Sequence, residues 1–146
     1  MTTPLLTFRV DGTPKPKGSM RHVGNGRMVE QLAGSAPWRE RVLWAAKEAA
    51  ATAALDRLEG PVWVSAHFYF TPPKSAPKRR IWWPTTRTSG DLDKLLRNLF
   101  DALVDAGIIR DDSQIVRVSA GKIRTAVAMS PCVRVEVGEY DTLAAP

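Results

Sequence analysis

The fold is decided by residues 90–116, which read GDLDKLLRNLFDALVDAGIIRDDSQIV. At about 100° per residue, the leucines and alanines of this stretch fill one arc of a helix, and the polar residues, Asn98 among them, fill the other. Gly107 stands where glycine commonly ends a helix. The stretch therefore predicts an amphipathic helix that starts just after Gly90 and leads into a strand from about Gln114.

Strand and helix patterns continue on both sides of this helix. Residues 61–70, PVWVSAHFYF, alternate as a strand does, and the alanine-rich residues 37–60 are good helix formers bounded by Pro37 and Gly60. In chain order we predict a strand over 5–10, a loop or irregular hairpin over 12–36, a helix over 37–60, a strand over 61–70, a long loop over 71–90, the helix above, and strands over 114–124 and 132–139. This order predicts an α+β fold, in which two helices pack on a single mixed or antiparallel sheet.

Length and composition limit the class of protein. The 146 residues, of which 44% are hydrophobic and 25% charged, fit one globular domain over 1–146 and exclude collagen, a coiled coil and a disordered chain. No apolar run reaches membrane-spanning length, and the first residues do not resemble a signal peptide. The single cysteine, Cys132, excludes an internal disulfide and a cysteine zinc cluster. We therefore expect a cytoplasmic protein.

Basic residues are concentrated in two segments. The net charge is +6, yet residues 12–29 and residues 60–90 contain no acid and together hold nine Lys and Arg. Positive segments on an otherwise acidic chain indicate a polyanion partner, because each cation that neutralises a phosphate also releases a counterion. The alternative is a charged surface that serves solubility.

Two pairs of aspartates flank the predicted helix. Asp91 and Asp93 stand at its start, and Asp111 and Asp112 follow its end. Acids at a helix start commonly serve as caps, and this use stays open. Converging aspartates also suit Mg²⁺ or Mn²⁺, which prefer oxygen ligands and act on phosphodiesters.

Other chemistries find little support. The sequence has no P-loop, no G-x-G-x-x-G after a strand and no G-x-S-x-G. Cys132 lies on a predicted strand and is expected to be a buried apolar residue. Trp82 and Trp83 lie in the basic loop, where they would either stack on unpaired bases or anchor the loop.

Several of these motifs together resemble the RusA family of Holliday-junction resolvases. The family pattern is an aspartate pair at a helix start, F-D-A-L along the helix, and D-D-x-Q before a strand. The N-terminal GTPKPKGSMR is similar to the family's opening, and the order of elements agrees over residues 5 to 139. The matching residues are Asp91, Leu92 and Asp93, then Phe100 to Leu103, then Asp111 to Val116, and in the opening Gly12, Pro14, Pro16, Lys17, Gly18 and Arg21.

The resemblance implies a homodimeric, Mg²⁺-dependent endodeoxyribonuclease, with Mn²⁺ as a substitute ion, found in bacteria or encoded by their phages. It would bind a four-way DNA junction and nick two opposed strands symmetrically, in recombination, repair or phage DNA processing. The metal ligands carry over to Asp91, Asp93 and Asp112. We expect Arg97 and Lys94 to stabilise charge in the transition state. The expected phosphate-binding residues are Lys15, Lys17, Arg21, Lys78, Arg79, Arg80, Arg87 and Lys122.

One position departs from the family pattern. The family commonly has a lysine four residues after the second aspartate, where this chain has Arg97. An arginine keeps the charge but does not readily transfer a proton at neutral pH, so a proton-transfer role would fall to Lys94. This departure motivates an alternative, a DNA-binding protein of the same fold that does not cut. A third hypothesis is an RNA-binding module, which would prefer single strands to branched DNA.

Overall fold

The computed structural model describes residues 2–18, 20–22, 24–26, 28–30 and 34–141. Within them, Asp112–Gln114 form a short 3-10 turn just before the strand that begins at Ile115. No helix of the described residues is long and apolar enough to cross a membrane. The helices are α1 (Ser35–Thr52) and α2 (Leu92–Asp105), and the strands are β1 (Leu6–Asp11), β2 (Met20–His22), β3 (Met28–Glu30), β4 (Val62–Phe70), β5 (Ile115–Arg124) and β6 (Cys132–Glu139).

Four strands form one mixed sheet in the order β1-β6-β4-β5. β6 is antiparallel to both of its neighbours, and β5 runs parallel to β4. Because parallel neighbours need a crossover connection, the chain leaves β4 through the long loop, passes along α2 and returns as β5. The predicted α+β fold, two helices on a single mixed sheet, is confirmed. β2 and β3 pair separately as the irregular hairpin predicted within 12–36.

The core lies between the two central strands and the helices. On β4 and β6, every second residue is buried and belongs to one apolar cluster with both helices. Burying each such side chain contributes about 1.5–3 kcal/mol, which fixes the register of these strands. Cys132 is fully buried at the start of β6, as expected for an apolar residue, and burial raises the pKa of its thiol.

The predicted helix over 37–60 had the wrong bounds. Helix α1 begins two residues earlier, at Ser35, and ends at Thr52 instead of running to Gly60. It ends because Ala54 takes a left-handed conformation with φ of 51°, and the backbone N–H of Leu55 then donates to the carbonyl of Ala50 at 2.9 Å. The next residues turn inward, where Leu58 is buried and pairs with Ile109. Residues 53–58 are therefore not helical, although most are good helix formers, because Leu58 is buried in the core.

The placement of Asn98 on the polar arc of α2 was also wrong. Asn98 is fully buried beside the leucines of the helix. Its Nδ2 group lies 3.0 Å from the carbonyl oxygen of Lys15 and 3.2 Å from that of Ser35, and donates to both. Its Oδ1 atom accepts a bond from Arg39 at 2.8 Å. The amide thus connects α2, the N-terminal loop and the start of α1, which explains why a polar side chain is tolerated there.

Replacing Asn98 by Ala should lower the free energy of unfolding by about 1–3 kcal/mol, because the buried carbonyl of Ser35 and the partly buried carbonyl of Lys15 lose their donor. The matched control is Arg97→Ala on the neighbouring exposed position, where a change within about 0.5 kcal/mol is expected. Urea denaturation followed by circular dichroism measures both. Equal stability of the two variants would show that the Asn98 amide does not hold the segments together.

Candidate active site

The start of α2 is held by a tight backbone arrangement around Gly90. Gly90 has φ of +80°, and a Cβ atom there would lie 2.4 Å from Cγ of Pro16. The side chain of Lys122, on β5, donates to the Gly90 carbonyl at 2.6 Å and to Oγ of the buried Ser89 at 2.9 Å. The N-terminal loop, β5 and the end of the basic loop therefore meet at the residue before Asp91.

Two aspartates stand at this end of the helix, and the side chain of Asp91 does not cap it. Asp91 occupies the N-cap position in an extended conformation, yet its side chain makes no cap hydrogen bond. Its carboxylate is 74% exposed and has the Nζ atom of Lys94 at 3.8 Å. Asp93 lies in the first turn and is also exposed. Both carboxylates therefore remain available to a ligand, while the positive end of the helix dipole stabilises their charge.

Lys122 has an unusual environment for a lysine. Its partial burial lowers the pKa of the ammonium group, and the negative charge of Asp91 opposes that effect. The ammonium also lies 5.9 Å from the ring centre of Phe70. Lys122 therefore serves to hold the backbone before Asp91, in addition to any contact with phosphate.

The two acids of the second pair, Asp111 and Asp112, have different roles, because only Asp111 caps the 3-10 turn. The carboxylate of Asp111 accepts from the N–H of Ser113 at 3.0 Å, and the amide oxygen of Gln114 accepts from the N–H of Asp111 at 3.0 Å. Hydrogen bonding by Ser113 lowers the pKa of the Asp111 carboxyl below its usual value. Asp112 is exposed and makes no such bond within the described part of the chain. Asp112 is therefore the member of this pair that can act on a ligand.

The two ends of α2 keep these carboxylates apart. Asp91 and Asp93 stand at the first turn, whereas Asp112 follows the last, and a helix of 14 residues is about 20 Å long. Among the described residues no three His, Cys, Asp or Glu side chains lie close enough to hold one metal ion. In a single chain, the predicted metal ligands Asp91 and Asp93 therefore lie together, and Asp112 lies apart from them.

Asp112 lies in an acidic groove that sequence reasoning did not predict. The groove has a volume of about 390 Å³ and runs along the second half of α2. Lys17, on the N-terminal loop, forms an ion pair with Asp101 there. The spacing of Asp101 and Asp105, four residues apart on one face of α2, was the available signal, but only the fold shows that Asp112 joins them. The residues lining the groove are Lys17, Arg39, Asp101, Val104, Asp105, Asp111 and Asp112.

Two cations lie on α2 near the first acidic pair. Lys94 approaches Asp91 as described, and its backbone carbonyl accepts a bond from the N–H of Lys17 at 3.0 Å. Arg97 is exposed one turn after Asp93. The amine of Lys94 is thus beside the carboxylate of Asp91, and Arg97 stands one turn further along the same helix.

The other predicted phosphate-binding residues fall into different settings. Lys78, Arg79, Arg80 and Arg87 are exposed in the long loop before Asp91 and are available to a polyanion. Lys15 is half-buried, and Lys17 is engaged by Asp101. Arg21 lies on β2, and its side chain is outside the described part of the structure.

The two tryptophans of the basic loop have different surroundings. Trp82 is partly buried and packs against the core, so it anchors the loop. Trp83 is 55% exposed and lies beside the exposed Ile81. Trp82 therefore fits the loop-anchoring alternative. Trp83 offers an exposed ring, which the base-stacking alternative requires.

The donor atoms fit a hard divalent cation. In the part of the chain that the structure describes, no backbone group uses the carboxylate oxygens of Asp91, Asp93 or Asp112. Such ligands suit Mg²⁺ or Mn²⁺ with water and phosphate completing the shell. Asp91 and Asp93 together would hold an ion at the start of α2.

Replacing Lys122 by Met should separate the anchoring role from phosphate binding. The variant loses the bonds to Ser89 and to the buried Gly90 carbonyl, so the free energy of unfolding should fall by about 1–3 kcal/mol. Lys78→Met, in the exposed loop, is the control and should leave the free energy of unfolding unchanged. Thermal or urea denaturation measures this. If Lys122→Met is as stable as Lys78→Met, Lys122 does not hold the residue before Asp91.

The resemblance seen in the sequence is confirmed by comparison with known protein families. The profile of the family described as Endodeoxyribonuclease RusA matches residues 11–138. No curated protein matches the chain. The matched span covers most of the chain and includes both helices and the aspartates at each end of α2. The chain therefore belongs to the RusA family of endodeoxyribonucleases, the enzymes that resolve Holliday junctions.

Proposed function

We propose that this protein is a homodimeric, Mg²⁺-dependent nuclease that resolves four-way DNA junctions by paired symmetric nicks, with Mn²⁺ as a substitute ion. The observation that supports a metal-dependent site is the state of Asp91. It stands where an aspartate normally caps a helix, yet its carboxylate makes no cap bond and is exposed. An exposed carboxylate that is not used as a cap, at the end of a basic loop, is suited to bind a cation together with a phosphate.

The length of α2 supports a site built from two chains. Asp91 and Asp93 stand at the first turn of α2, whereas Asp112 lies in the groove along its second half, and within the described residues no three acids lie close enough to hold one ion. A two-fold dimer can, if Asp112 of the partner subunit lies beside Asp91 and Asp93, and the reverse arrangement then forms a second, equivalent site. A junction also has two equivalent strands to cut, which matches two sites related by a two-fold axis.

Each residue of the proposed site has a chemical role. A bound Mg²⁺ supplies Lewis acidity toward the scissile phosphate and charge stabilisation for the leaving 3′ oxygen. Lys94, whose amine is near Asp91, is positioned to transfer a proton or to balance charge. Arg97 supplies a fixed positive charge for the oxygens of the phosphate in the transition state.

The basic loop provides the approach for DNA. Lys78, Arg79, Arg80 and Arg87 are exposed and precede the acidic pair directly, so a bound strand would run from the loop toward Asp91. Lys15, Lys17, Arg21 and Lys122 would support the same path from the N-terminal loop and β5. We place this activity in the bacterial cytoplasm, in recombination, repair or phage DNA processing.

The alternative is a protein that binds junctions without cutting them. Arg97 favours this alternative, because it stands where the family commonly has a lysine and does not readily exchange a proton. The nearby amine of Lys94 favours cleavage, since it offers the group that Arg97 lacks.

A labelled four-way junction and a linear duplex of the same sequence, each incubated with Mg²⁺ or with EDTA, distinguish the two functions. We expect paired nicks in the junction alone, abolished by EDTA. Asp91→Asn should reduce the cleavage rate on the order of 100-fold or more, because a metal ligand is lost, while junction binding is retained. Asp56→Asn, on the exposed connection after α1, is the control. Retarded junction without product in Mg²⁺ or Mn²⁺ would instead establish the non-cleaving protein.

Mixing two inactive variants tests the shared site. When Asp91→Asn and Asp112→Asn chains form a mixed dimer, one site carries both changes and the other is intact. After denaturation and joint refolding, about a quarter of the wild-type sites should be restored, as single nicks without full resolution. A mixture as inactive as either variant alone would show that each site uses one chain.

A further inference from the structure

The exposed Trp83 is held in place by its neighbours in the chain. Trp82 packs against the core on one side of it, and Pro84 is buried on the other. The backbone N–H of Thr85 donates to the Trp83 carbonyl at 2.8 Å, which closes a three-residue turn centred on Pro84. The indole of Trp83, which is 55% exposed, is therefore attached to a backbone that is fixed on both sides.

Hydrogen bonds connect this backbone to the start of α2. The hydroxyl of the buried Ser89 donates to the Pro84 carbonyl at 2.9 Å. The ammonium of Lys122 donates to the Ser89 hydroxyl at 2.9 Å and also to the Gly90 carbonyl at 2.6 Å. The turn that carries Trp83 and the first residues of α2 thus belong to one hydrogen-bonded unit, so the fold fixes the position of the indole relative to the candidate active site.

The charges around the indole suit a nucleic acid. Trp83 and Ile81, which is 58% exposed, form a small apolar surface in a loop that has no acid over residues 71–90. Two copies of such a loop would repel each other, whereas in DNA the phosphates surround flat, apolar bases. The exposed cations of the loop are Lys74, Lys78, Arg79, Arg80 and Arg87.

Branched DNA offers this ring a surface that the interior of a linear duplex does not. Inside a duplex, every base pair is stacked on both faces, so cations and a metal ion can bind the backbone but an indole finds no free face. At the centre of a four-way junction, the base pairs at the branch lose a stacking neighbour. An aromatic side chain can replace that neighbour whatever the base sequence, because every base has a flat face.

We propose that Trp83 stacks on an exposed base pair at the branch point and thereby selects junctions over linear duplex. Because its backbone is fixed relative to the start of α2, the ring also sets the distance between the branch point and the phosphate that is cut. The selection concerns DNA binding by the basic loop, whereas the distance to the cut rests on the proposed function.

Binding is measured with chains that carry Asp91→Asn, in EDTA, so that no strand is cut. 2-Aminopurine beside the branch point reports stacking through its fluorescence, and the added change Trp83→Ala should abolish the response seen with the intact loop. Trp83→Ala should also weaken junction binding about 10-fold and leave binding to a linear duplex unchanged. Trp83→Phe should restore most of the affinity, because a phenyl ring still stacks.

Trp44→Ala is the matched control. Trp44 is 57% exposed, much as Trp83 is, but it lies on α1, where the ammonium of Lys47 is 4.9 Å from its ring centre. This variant should bind the junction and the duplex as the unchanged chain does. Circular dichroism should show that both alanine variants are folded, since neither ring belongs to the apolar core.

The positions of the cuts test the second part of the inference. On a junction whose branch point cannot migrate, the wild type and Trp44→Ala should cut at one fixed distance from the branch in Mg²⁺. Trp83→Ala should spread its cuts over neighbouring phosphates, because the ring no longer fixes the register of the DNA. Cuts by Trp83→Ala at the wild-type distance alone would overturn the role of the ring in setting that distance.

The binding outcomes separate this inference from the proposed function. Equal losses of junction and duplex affinity in Trp83→Ala, or no loss of either, would overturn the selection of junctions by the ring. A changed mass in sedimentation equilibrium would overturn it too, since Trp83 would then contact another protein chain. If the binding results are as expected but the wild type cuts no junction with any divalent ion, the selection stands and the proposed function fails.

Discussion

The buried amide of Asn98 is the interaction on which the remaining structure depends. It joins three segments that are far apart in the chain, since it donates to the carbonyls of Lys15 and Ser35 from the middle of α2. Because Asn98 and Ser35 are fully buried, leaving these bonds unmade would cost the desolvation of a buried amide and carbonyl. Once they are made, Pro16 lies against Gly90 and the N–H of Lys17 meets the carbonyl of Lys94.

Other groups hold the two ends of α2, which leaves the acidic side chains there available for chemistry. The backbone before α2 is held by Lys122 and by contact with Pro16, so Asp91 is not needed as a cap. At the other end of the helix, Asp111 and Gln114 close the 3-10 turn, so Asp112 is not needed there either. Asp91 and Asp112 stand at helix starts, where an acid usually caps, yet neither makes a cap bond in the described part of the chain. This unused position indicates a function more strongly than the spacing of the acids in the sequence does.

The accuracy of the sequence predictions varied with the range of the interactions. The strand over 61–70 and the helix after Gly90 were predicted well, because period-2 and period-3.6 burial are local patterns. The end of α1 was predicted too late, since residues 53–60 are helix formers and only the burial of Leu58 beside Ile109 explains the turn at Ala54. The polar placement of Asn98 failed for a similar reason. Its partners lie in other segments, so no local pattern shows that an amide belongs in the core.

The sequence by itself determined the class of fold, the family and the identity of the candidate acids, because these depend on periodicity and on motifs that are contiguous in the chain. The tertiary structure decided which acids are free, since the bonds of Asp111 and the absence of a cap bond at Asp91 arise from folding. It also decided how the acids are distributed in space. Asp111 and Asp112 come back beside the second half of α2, in the groove with Asp101 and Asp105, whereas Asp91 and Asp93 stay at its first turn. This separation depends on the path of the chain after the helix, which no local pattern fixes.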